Sequence, residues 1–199
     1  MYRMLIGVTA LFLSSQAMAA NEMPPAAALC GSCHGPTGMG IEPIAPRIAG
    51  LSSEYIAKQI HLFQQGDRQN PSMTPMAMTV QGEAINQVAD YFAAQPLPAF
   101  SLALRGSQTS YQSAAETLVY QGDWQRTLPA CVSCHGPSGI GGGQFPRLAG
   151  QQASYLKTQL MAWQSGTRKG DIDNMMGNIA SKLSQDEIAA LADYFATLK

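Results

Sequence analysis

Two short motifs hold most of the side chains in this chain that could do chemistry. Residues 30–34 are Cys-Gly-Ser-Cys-His and residues 131–135 are Cys-Val-Ser-Cys-His, so these motifs contain all 4 cysteines and two of the 3 histidines. Cys-x-x-Cys-His is the attachment signature of c-type haem, in which each thiol forms a thioether to one vinyl group of the porphyrin. The histidine that follows is then held against the iron as its proximal ligand. The sequence therefore predicts two haem c groups, with attachment at Cys30, Cys33, Cys131 and Cys134 and with His34 and His135 as proximal ligands.

Zinc binding, disulfide formation and thioredoxin-like redox chemistry are the alternative uses of two Cys-x-x-Cys pairs. One shared zinc ion is disfavoured, because Cys33 and Cys131 lie too far apart in the sequence for a zinc ribbon. None of the three alternatives requires a histidine directly after the second cysteine, and this chain has one in both places. Haem attachment is therefore the better interpretation.

The two motifs belong to an internal repeat with a period of about 100 residues. Residues 30–36 match residues 131–137, and the pattern Pro-Arg-hydrophobic-Ala-Gly occurs at residues 46–50 and again at 146–150. We therefore expect two homologous domains that carry one haem each. The remaining matches are Tyr55, Gln59, Gly66 and Arg68 with Tyr155, Gln159, Gly166 and Arg168, and residues 89–92 with residues 192–195.

The segments that must position these residues are predicted to be helices. Apolar residues recur at i, i+3, i+4 and i+7 over residues 85–92 and 188–195, and no segment alternates as a strand would. Ser184 and Glu187 form a capping-box pattern before the second of these helices, whereas Gly82 offers a weaker cap before the first. We expect an all-α chain. Its predicted parts are a signal peptide (1–19), a first domain (20–97), a linker (98–110) and a second domain (111–199).

The N-terminus has the features of an exported protein. Arg3 precedes the mostly apolar residues 5–13, and Ala17-Met18-Ala19 fits the small-x-small pattern of a cleavage site. We expect cleavage after Ala19 rather than an uncleaved anchor, because a bilayer span needs about 20 apolar residues. Export agrees with haem c, which is attached outside the cytoplasm, so a bacterial periplasm is predicted.

Composition excludes several other classes of protein. The chain is 46% hydrophobic and 13% charged, with a net charge of −1, which is typical of a folded globular protein. It contains no basic run, so nucleic acid is not an expected partner. Residues 20–98 hold 3 basic and 6 acidic side chains (net −3), whereas residues 99–199 hold 8 and 7 (net +1). This asymmetry offers a means of orienting the protein on a charged partner.

The second axial ligand of each iron is expected to be a methionine. Only His61 remains beside the two proximal histidines, and we expect it to be solvated. Methionine is the other soft axial ligand of electron-transfer haems. The candidates are Met73, Met76 and Met78 in the first repeat, and Met175 and Met176 in the second.

The repeat selects one methionine in each half. Met73 lies 12 residues before Ile85, and Met176 lies 12 residues before Ile188, whereas no other pair of methionines coincides. We therefore predict Met73 and Met176 as the axial ligands, and Met76 is the rival in the first domain. A thioether on the iron raises the potential relative to a second imidazole and fills the position where oxygen or peroxide would bind.

The Pro-Arg dipeptides predict the surroundings of the proximal histidines. Pro46 follows the first histidine by 12 residues, and Pro146 follows the second by 11. The carbonyl group of each proline is predicted to accept the Nδ1 proton of the histidine and so to orient its ring. Arg47 and Arg147 are candidates for neutralising a haem propionate; a tight turn followed by a solvated arginine is the alternative.

These motifs together resemble the cytochrome c4 family of dihaem class I cytochromes. Each Cys-x-x-Cys-His motif is followed by Pro-Arg-hydrophobic-Ala-Gly, a tyrosine-containing helix, a methionine loop and a final Asp-Tyr-Phe helix, and the match extends from Cys30 to the C-terminus. The resemblance implies two tandem class I cytochrome c domains, related by pseudo-two-fold symmetry, with the propionate edges of the haems facing each other. It also implies the ligand pairs His34–Met73 and His135–Met176. One departure is the short segment 21–29, and we expect the first domain to lack the N-terminal helix of the family.

The resemblance implies an electron carrier rather than an enzyme. Such a carrier takes electrons from a quinol-oxidising cytochrome bc-type complex or from a dehydrogenase and delivers them to a terminal oxidase. A monomer with loose peripheral membrane association is expected. Two alternatives remain open: a dihaem peroxidase-like or thiosulfate-oxidising enzyme, which needs an open iron or a cysteine ligand, and a haem subunit of a membrane dehydrogenase complex.

Overall fold

The structure is a computed structural model that describes residues 22–97 and 111–198. The predicted signal peptide (1–19) and the whole predicted linker (98–110) lie outside the described residues. The described residues form helices joined by turns, and the only β-type pairings among them are isolated bridges. The all-α prediction is therefore confirmed. No helix within the described ranges has the length and apolar character needed to cross a membrane.

Within residues 22–97 the first domain contains four α-helices, and within residues 111–198 the second contains five. The first four are α1 (Pro25–His34), α2 (Ser53–Gln65), α3 (Met73–Met78) and α4 (Glu83–Ala93). The second domain contains α5 (Ala114–Tyr120), α6 (Val132–His135), α7 (Ala153–Gln164), α8 (Met175–Ala180) and α9 (Gln185–Thr197). Single 3-10 turns occur at Trp124–Arg126, Pro137–Gly139 and Ile172–Asn174.

The two domains repeat one packing arrangement. In the first, α2 packs on α4 and α3, and α1 packs on α4. In the second, α7 packs on α9 and α8, and α5 packs on α9. Each domain has its own apolar core, in which Phe92 of α4 and Ile188 of α9 are fully buried. The predicted boundaries of the domains remain predictions, because the boundary falls where the described residues are interrupted.

Helix α1 corrects the expectation that the first domain lacks a helix before its motif. The helix begins at Pro25, where a proline is favourable because its fixed φ suits the first turn and its missing N–H has no helical partner to lose. It then continues without a break to His34. In the second domain two shorter helices, α5 and α6, take the place of this single helix. A loop that contains the turn Trp124–Arg126 separates them.

The final helices of the two domains begin differently, as their sequences predict. At α9 the Ser184 hydroxyl accepts from the Glu187 N–H, and the Glu187 carboxylate accepts from the Ser184 N–H, which completes a capping box. At α4 the cap residue is Gly82, which makes no side-chain bond and has φ 56°. The start of α9 is therefore better stabilised than the start of α4.

Polar contacts join the domains along one interface. Arg68 and Arg168 form an isolated antiparallel bridge, and the Lys169 N–H donates to the Asp67 carbonyl at 2.7 Å. Further bonds connect loops of one domain with helix ends of the other; the pairs are Ser52 with Gly143, Lys58 with Gln144, Gln152 with Ala45 and Ser154 with Glu42. These bonds hold the loops that precede the two Pro-Arg dipeptides against the opposite domain.

Candidate haem sites

The two proximal histidine candidates occupy equivalent, buried positions. His34 ends α1 and His135 ends α6, and both side chains are at least nine-tenths buried. The Nδ1 atom of His34 lies 2.8 Å from the Pro46 carbonyl oxygen, and that of His135 lies 2.9 Å from the Pro146 carbonyl oxygen. A proton on Nδ1 makes this bond, so the Nε2 lone pair of each ring remains free to bind a metal.

The pKa values of the two imidazoles agree with that protonation state. Burial lowers the pKa of His34, the Pro46 carbonyl raises it, and the charge of Arg68 lowers it, with a net decrease. His135 shows the same balance with Pro146 and Arg168. A neutral imidazole is the form that binds iron, so both rings are in the ligand-competent state at neutral pH.

No disulfide joins any of the four cysteines. Burial raises the pKa of Cys30 and raises that of Cys131 to about 11. A thiol with a raised pKa is a poor nucleophile and a poor redox centre, so the thioredoxin-like alternative loses support. The described residues contain no group of three or more His, Cys, Asp or Glu side chains placed to hold a metal ion.

A cavity of about 1090 Å³ runs through both domains and contains both motifs. Its wall is mostly apolar and includes side chains from both cores, among them Ile60, Phe63, Leu156 and Leu183. The cysteines and histidines of both motifs also reach this cavity. A flat apolar macrocycle that is bonded to the cysteines would fill each end of such a space, so the residues present fit haem c.

Four methionines line the cavity, two in each domain. Met73 is the first residue of α3 and Met176 is the second residue of α8, and Met76 and Met175 reach the cavity as well. Met78 is 52% exposed and lies outside the wall, which excludes it as a ligand candidate.

Hydrogen bonds in the loops before α3 and α8 distinguish Met73 and Met176 from the other methionines of the cavity. The Met73 N–H donates to Oδ1 of Asn70 at 2.8 Å, and the Met176 N–H donates to Oδ2 of Asp171. Both methionines are thus held at a helix start by a side chain that precedes them in the loop. No such bond is found for Met76, which lies within α3.

Two glutamines at equivalent positions of α2 and α7 show how the methionine segments of the two domains align. The Gln64 amide donates to the carbonyl groups of Ala77 and Val80, and the Gln164 amide donates to those of Ala180 and Leu183. Ala77 and Ala180 differ by 103 positions, and so do Met73 and Met176. The structure therefore makes Met73 and Met176 equivalent, whereas Met76 corresponds to Ile179.

The arginines of the two Pro-Arg dipeptides lie at the domain interface and line the cavity. The Nε atom of Arg47 is buried and has no hydrogen-bond partner among the described residues, whereas that of Arg147 donates to the Ala149 carbonyl. The Arg47 main chain exchanges two bonds with the Gln151 side chain of the other domain. Burial lowers the pKa of Arg147, and the nearby charge of Arg47 lowers it further. An anion between the domains would relieve this repulsion.

Sequence reasoning missed a buried polar group at the interface that joins Arg68 and Arg168 with tyrosines and glutamines of α2 and α7. The signal was present, since these residues recur at the same offset in both repeats. His61, by contrast, is exposed and bonds Gln64 on its own helix, in agreement with the prediction that it is solvated.

Helical domains that close over a Cys-x-x-Cys-His motif define a c-type cytochrome, and this chain contains two such domains with haem c as the cofactor. The family model for cytochrome c matches residues 117–199. Cytochrome c4 of Thiocapsa roseopersicina is 39% identical over 85% of this chain and 87% of the relative. Cytochrome c4 of Pseudomonas aeruginosa is 34% identical over 97% and 94%. The chain belongs to the cytochrome c4 family of dihaem electron carriers.

Two further relatives have names that refer to thiosulfate. A protein named thiosulfate dehydrogenase electron acceptor, from Stutzerimonas stutzeri, is 43% identical over 98% of this chain and 94% of its own length. The solved thiosulfate dehydrogenase TsdBA of Marichromatium purpuratum matches 85% of this chain with a TM-score of 0.75 and 41% identity. This chain covers 36% of TsdBA. The solved cytochrome c4 of Pseudomonas stutzeri has a TM-score of 0.74 at 31% identity and is covered to 94%.

Proposed function

We propose that this protein accepts electrons from a dehydrogenase that oxidises thiosulfate and passes them towards a terminal oxidase. The observation that carries the proposal is the 43% identity, over nearly the full length, to a protein named as the electron acceptor of such an enzyme. The match to part of TsdBA supports it, because that longer protein contains a unit of the same fold. A quinol-oxidising cytochrome bc-type complex is the alternative donor.

In this proposal the two motifs attach the haems, and the haems supply the one-electron chemistry. Cys30 and Cys33 hold one group, and Cys131 and Cys134 hold the other. Each proximal histidine would hold the iron through Nε2, and the proline carbonyl fixes the orientation of its ring.

The sulfur atoms of Met73 and Met176 are proposed as the opposite ligands. The loop bonds from Asn70 and Asp171 hold these residues at the start of their helices. An iron that is bound on both sides has no position for a substrate, which supports a carrier rather than a peroxidase-like or thiosulfate-oxidising enzyme. Arg47 and Arg147 are proposed to neutralise propionates between the domains.

The proposed location is the bacterial periplasm, with residues 1–19 as a cleaved signal peptide. The support is the sequence pattern at Ala17-Met18-Ala19 together with the attachment of haem c outside the cytoplasm. A monomer with loose peripheral membrane association fits this proposal.

The proposal is tested by mixing the oxidised protein with purified thiosulfate dehydrogenase and thiosulfate and following the haem absorbance. We expect two electrons to be taken up per molecule, and no reduction when either the enzyme or thiosulfate is omitted. Rapid reduction by a cytochrome bc-type complex, with none by the dehydrogenase, would overturn the proposed donor. Rapid binding of carbon monoxide to one reduced native haem would instead favour the enzyme.

A further inference from the structure

Arg68 and Arg168 form a crossed pair at the centre of the domain interface. Each arginine is 7% exposed and therefore buried. The Arg68 guanidinium donates to the Tyr155 hydroxyl of the second domain at 2.6 Å, and the Arg168 guanidinium donates to the Tyr55 hydroxyl of the first domain at 2.9 Å. The guanidinium group of each domain is thus held in place by a tyrosine hydroxyl group of the other domain.

Each arginine is also fixed within its own domain. Arg68 donates to Gln59 at 2.8 Å and lies over the Phe63 ring, 4.5 Å from its centroid. Arg168 donates to Gln159 at 2.8 Å and lies over the Trp163 ring at 4.7 Å. With contacts on both sides, neither guanidinium is free to move away from the interface.

The charge of this pair is not balanced by protein groups. No carboxylate bonds Arg68 or Arg168 in the described part of the chain, and their acceptors there are neutral hydroxyl and amide oxygens. The Nε atom of Arg168 is buried and has no hydrogen-bond partner among the residues that the structure describes. Two unbalanced charges in a buried site are costly unless an anion or an electron-rich group lies next to them.

Each charge acts on the metal site of its own domain. Both arginines line the cavity that holds the motifs. His34 and His135 line the same cavity. A buried positive charge beside this cavity disfavours the extra positive charge of ferric iron held by the motif.

We propose that Arg68 and Arg168 are positioning residues that raise the reduction potentials of the two haems, and that Tyr155 and Tyr55 of the opposite domains set how strongly they do so. The potential of each haem thus depends on a residue in the other domain. The proposal rests on the proposed attachment of both haems. It is measured without any partner protein, so its failure and a wrong electron donor are distinguishable.

The first test removes one charge at a time. Arg68→Gln lowers the potential of the first-domain haem, with the oxidation equilibrium of that haem shifted about tenfold, or 59 mV for one electron. Arg168→Gln does the same to the second-domain haem. Arg68→Lys keeps the charge and retains more of the potential than Arg68→Gln. The two haems are followed separately in a redox titration monitored by NMR.

The second test removes one contact across the interface and leaves the bonds from Arg68 to Gln159 and from Arg168 to Gln59 in place. Tyr155→Phe keeps the ring and removes the hydroxyl that binds Arg68, so it lowers the potential of the first-domain haem although the substitution is in the second domain. Tyr55→Phe lowers the potential of the second-domain haem. We expect both shifts to be smaller than those of the Arg→Gln variants.

Arg126→Gln is the matched control, because Arg126 is an arginine of the second domain whose ion pairs lie away from the interface. It leaves both potentials unchanged. The proposal is overturned if Tyr155→Phe leaves the first-domain potential unchanged, or if each variant lowers both potentials equally. Haem content and circular dichroism check folding, and the Tyr→Phe variants decide the outcome if an Arg→Gln variant does not retain its haems.

Discussion

At the scale of single residues, the sequence repeat and the hydrogen bonds of the loops select the same two candidate axial ligands. Met73 and Met176 occupy equivalent positions, and their N–H groups bind side chains of the preceding loop. Met76 and Met175 reach the same cavity without that equivalence. The four methionines therefore form two matched pairs for mutation.

We predict that Met73→Ala and Met176→Ala each remove the sulfur ligand of one haem. The expected results are a lower potential for that haem, loss of its methionine-to-iron absorption band and new binding of carbon monoxide, because one axial position opens. Met76→Ala and Met175→Ala are the controls, and they retain band and potential. A lost band in Met76→Ala, with a normal spectrum in Met73→Ala, would assign the first haem to Met76.

The residues with distinctive chemistry could be found from the sequence, and the buried cations could not. The cysteines, histidines and paired methionines are rare residue types at fixed spacings. Arg68 and Gln59 belong to a residue class that is usually solvated, so an isolated helical pattern assigns them to the surface. The opposite domain supplies some of their contacts, and its position is a property of the fold.

Among the helices, α9 has the most completely satisfied N-terminus. The Ser184 hydroxyl and the Glu187 carboxylate bond each other's main-chain N–H groups, and Glu187 also pairs with Arg126 at 2.7 Å. The ion pair ties the loop before α6 to the start of α9. The effect of the cap on stability and the effect of the ion pair can be measured separately by mutation.

Replacing Ser184 by alanine is predicted to destabilise the second domain by about 1 kcal/mol, because one N–H of the first turn loses its acceptor. Urea unfolding followed by circular dichroism measures the change. Ser181→Ala is the control, since the Ser181 hydroxyl bonds only the Asn178 carbonyl on the helix before it. An equal effect of the two substitutions would contradict the importance of the cap.

The ion pair predicts a dependence of stability on pH. The hydrogen bond from Arg126 is the main reason that the pKa of Glu187 lies below its usual range. A carboxyl group with a lowered folded-state pKa stabilises the fold above its unfolded-state pKa, and this contribution is lost as the pH falls through the folded-state value.

We therefore expect Glu187→Gln, which keeps an acceptor for the cap, to destabilise the protein at neutral pH and to have little effect in acid below that pKa. Urea unfolding of the variant and of the natural protein at both pH values measures this. A constant difference across the pH range would contradict the role of the ion pair.

Helix positions followed from apolar periodicity, but the ends of helices depended on local chemistry. The pattern over residues 85–92 predicted α4 and that over 188–195 predicted α9, and the capping residues fixed where α9 begins. Helix α1 was not predicted, since segment 21–29 is short and contains Pro24 and Pro25. A proline pair at the very start of a helix is nonetheless compatible with it.

For the whole molecule, two small domains share a cavity that their own side chains do not fill. The cavity of about 1090 Å³ lies between the helices of both cores. Domains of this size have marginal cores, so the attached cofactor supplies a large share of the apolar contact. Folding and haem attachment are therefore expected to be coupled.

We predict that changing both Cys131 and Cys134 to alanine abolishes the cooperative unfolding of the second domain and leaves the first-domain haem in place. The corresponding change of Cys30 and Cys33 gives the mirror result and serves as the matched variant. Differential scanning calorimetry together with haem absorbance measures both. An unchanged melting temperature for the haem-free domain would contradict the coupling.

The central claim is that each motif carries one covalently bound haem, which makes the protein a two-station electron relay. Intact-mass spectrometry of the purified, denatured protein tests it most directly, because thioether bonds survive denaturation. The account predicts the mass of the chain plus two haem groups, with no titratable thiol. One haem or none, or a pair of free thiols in either motif, would contradict it.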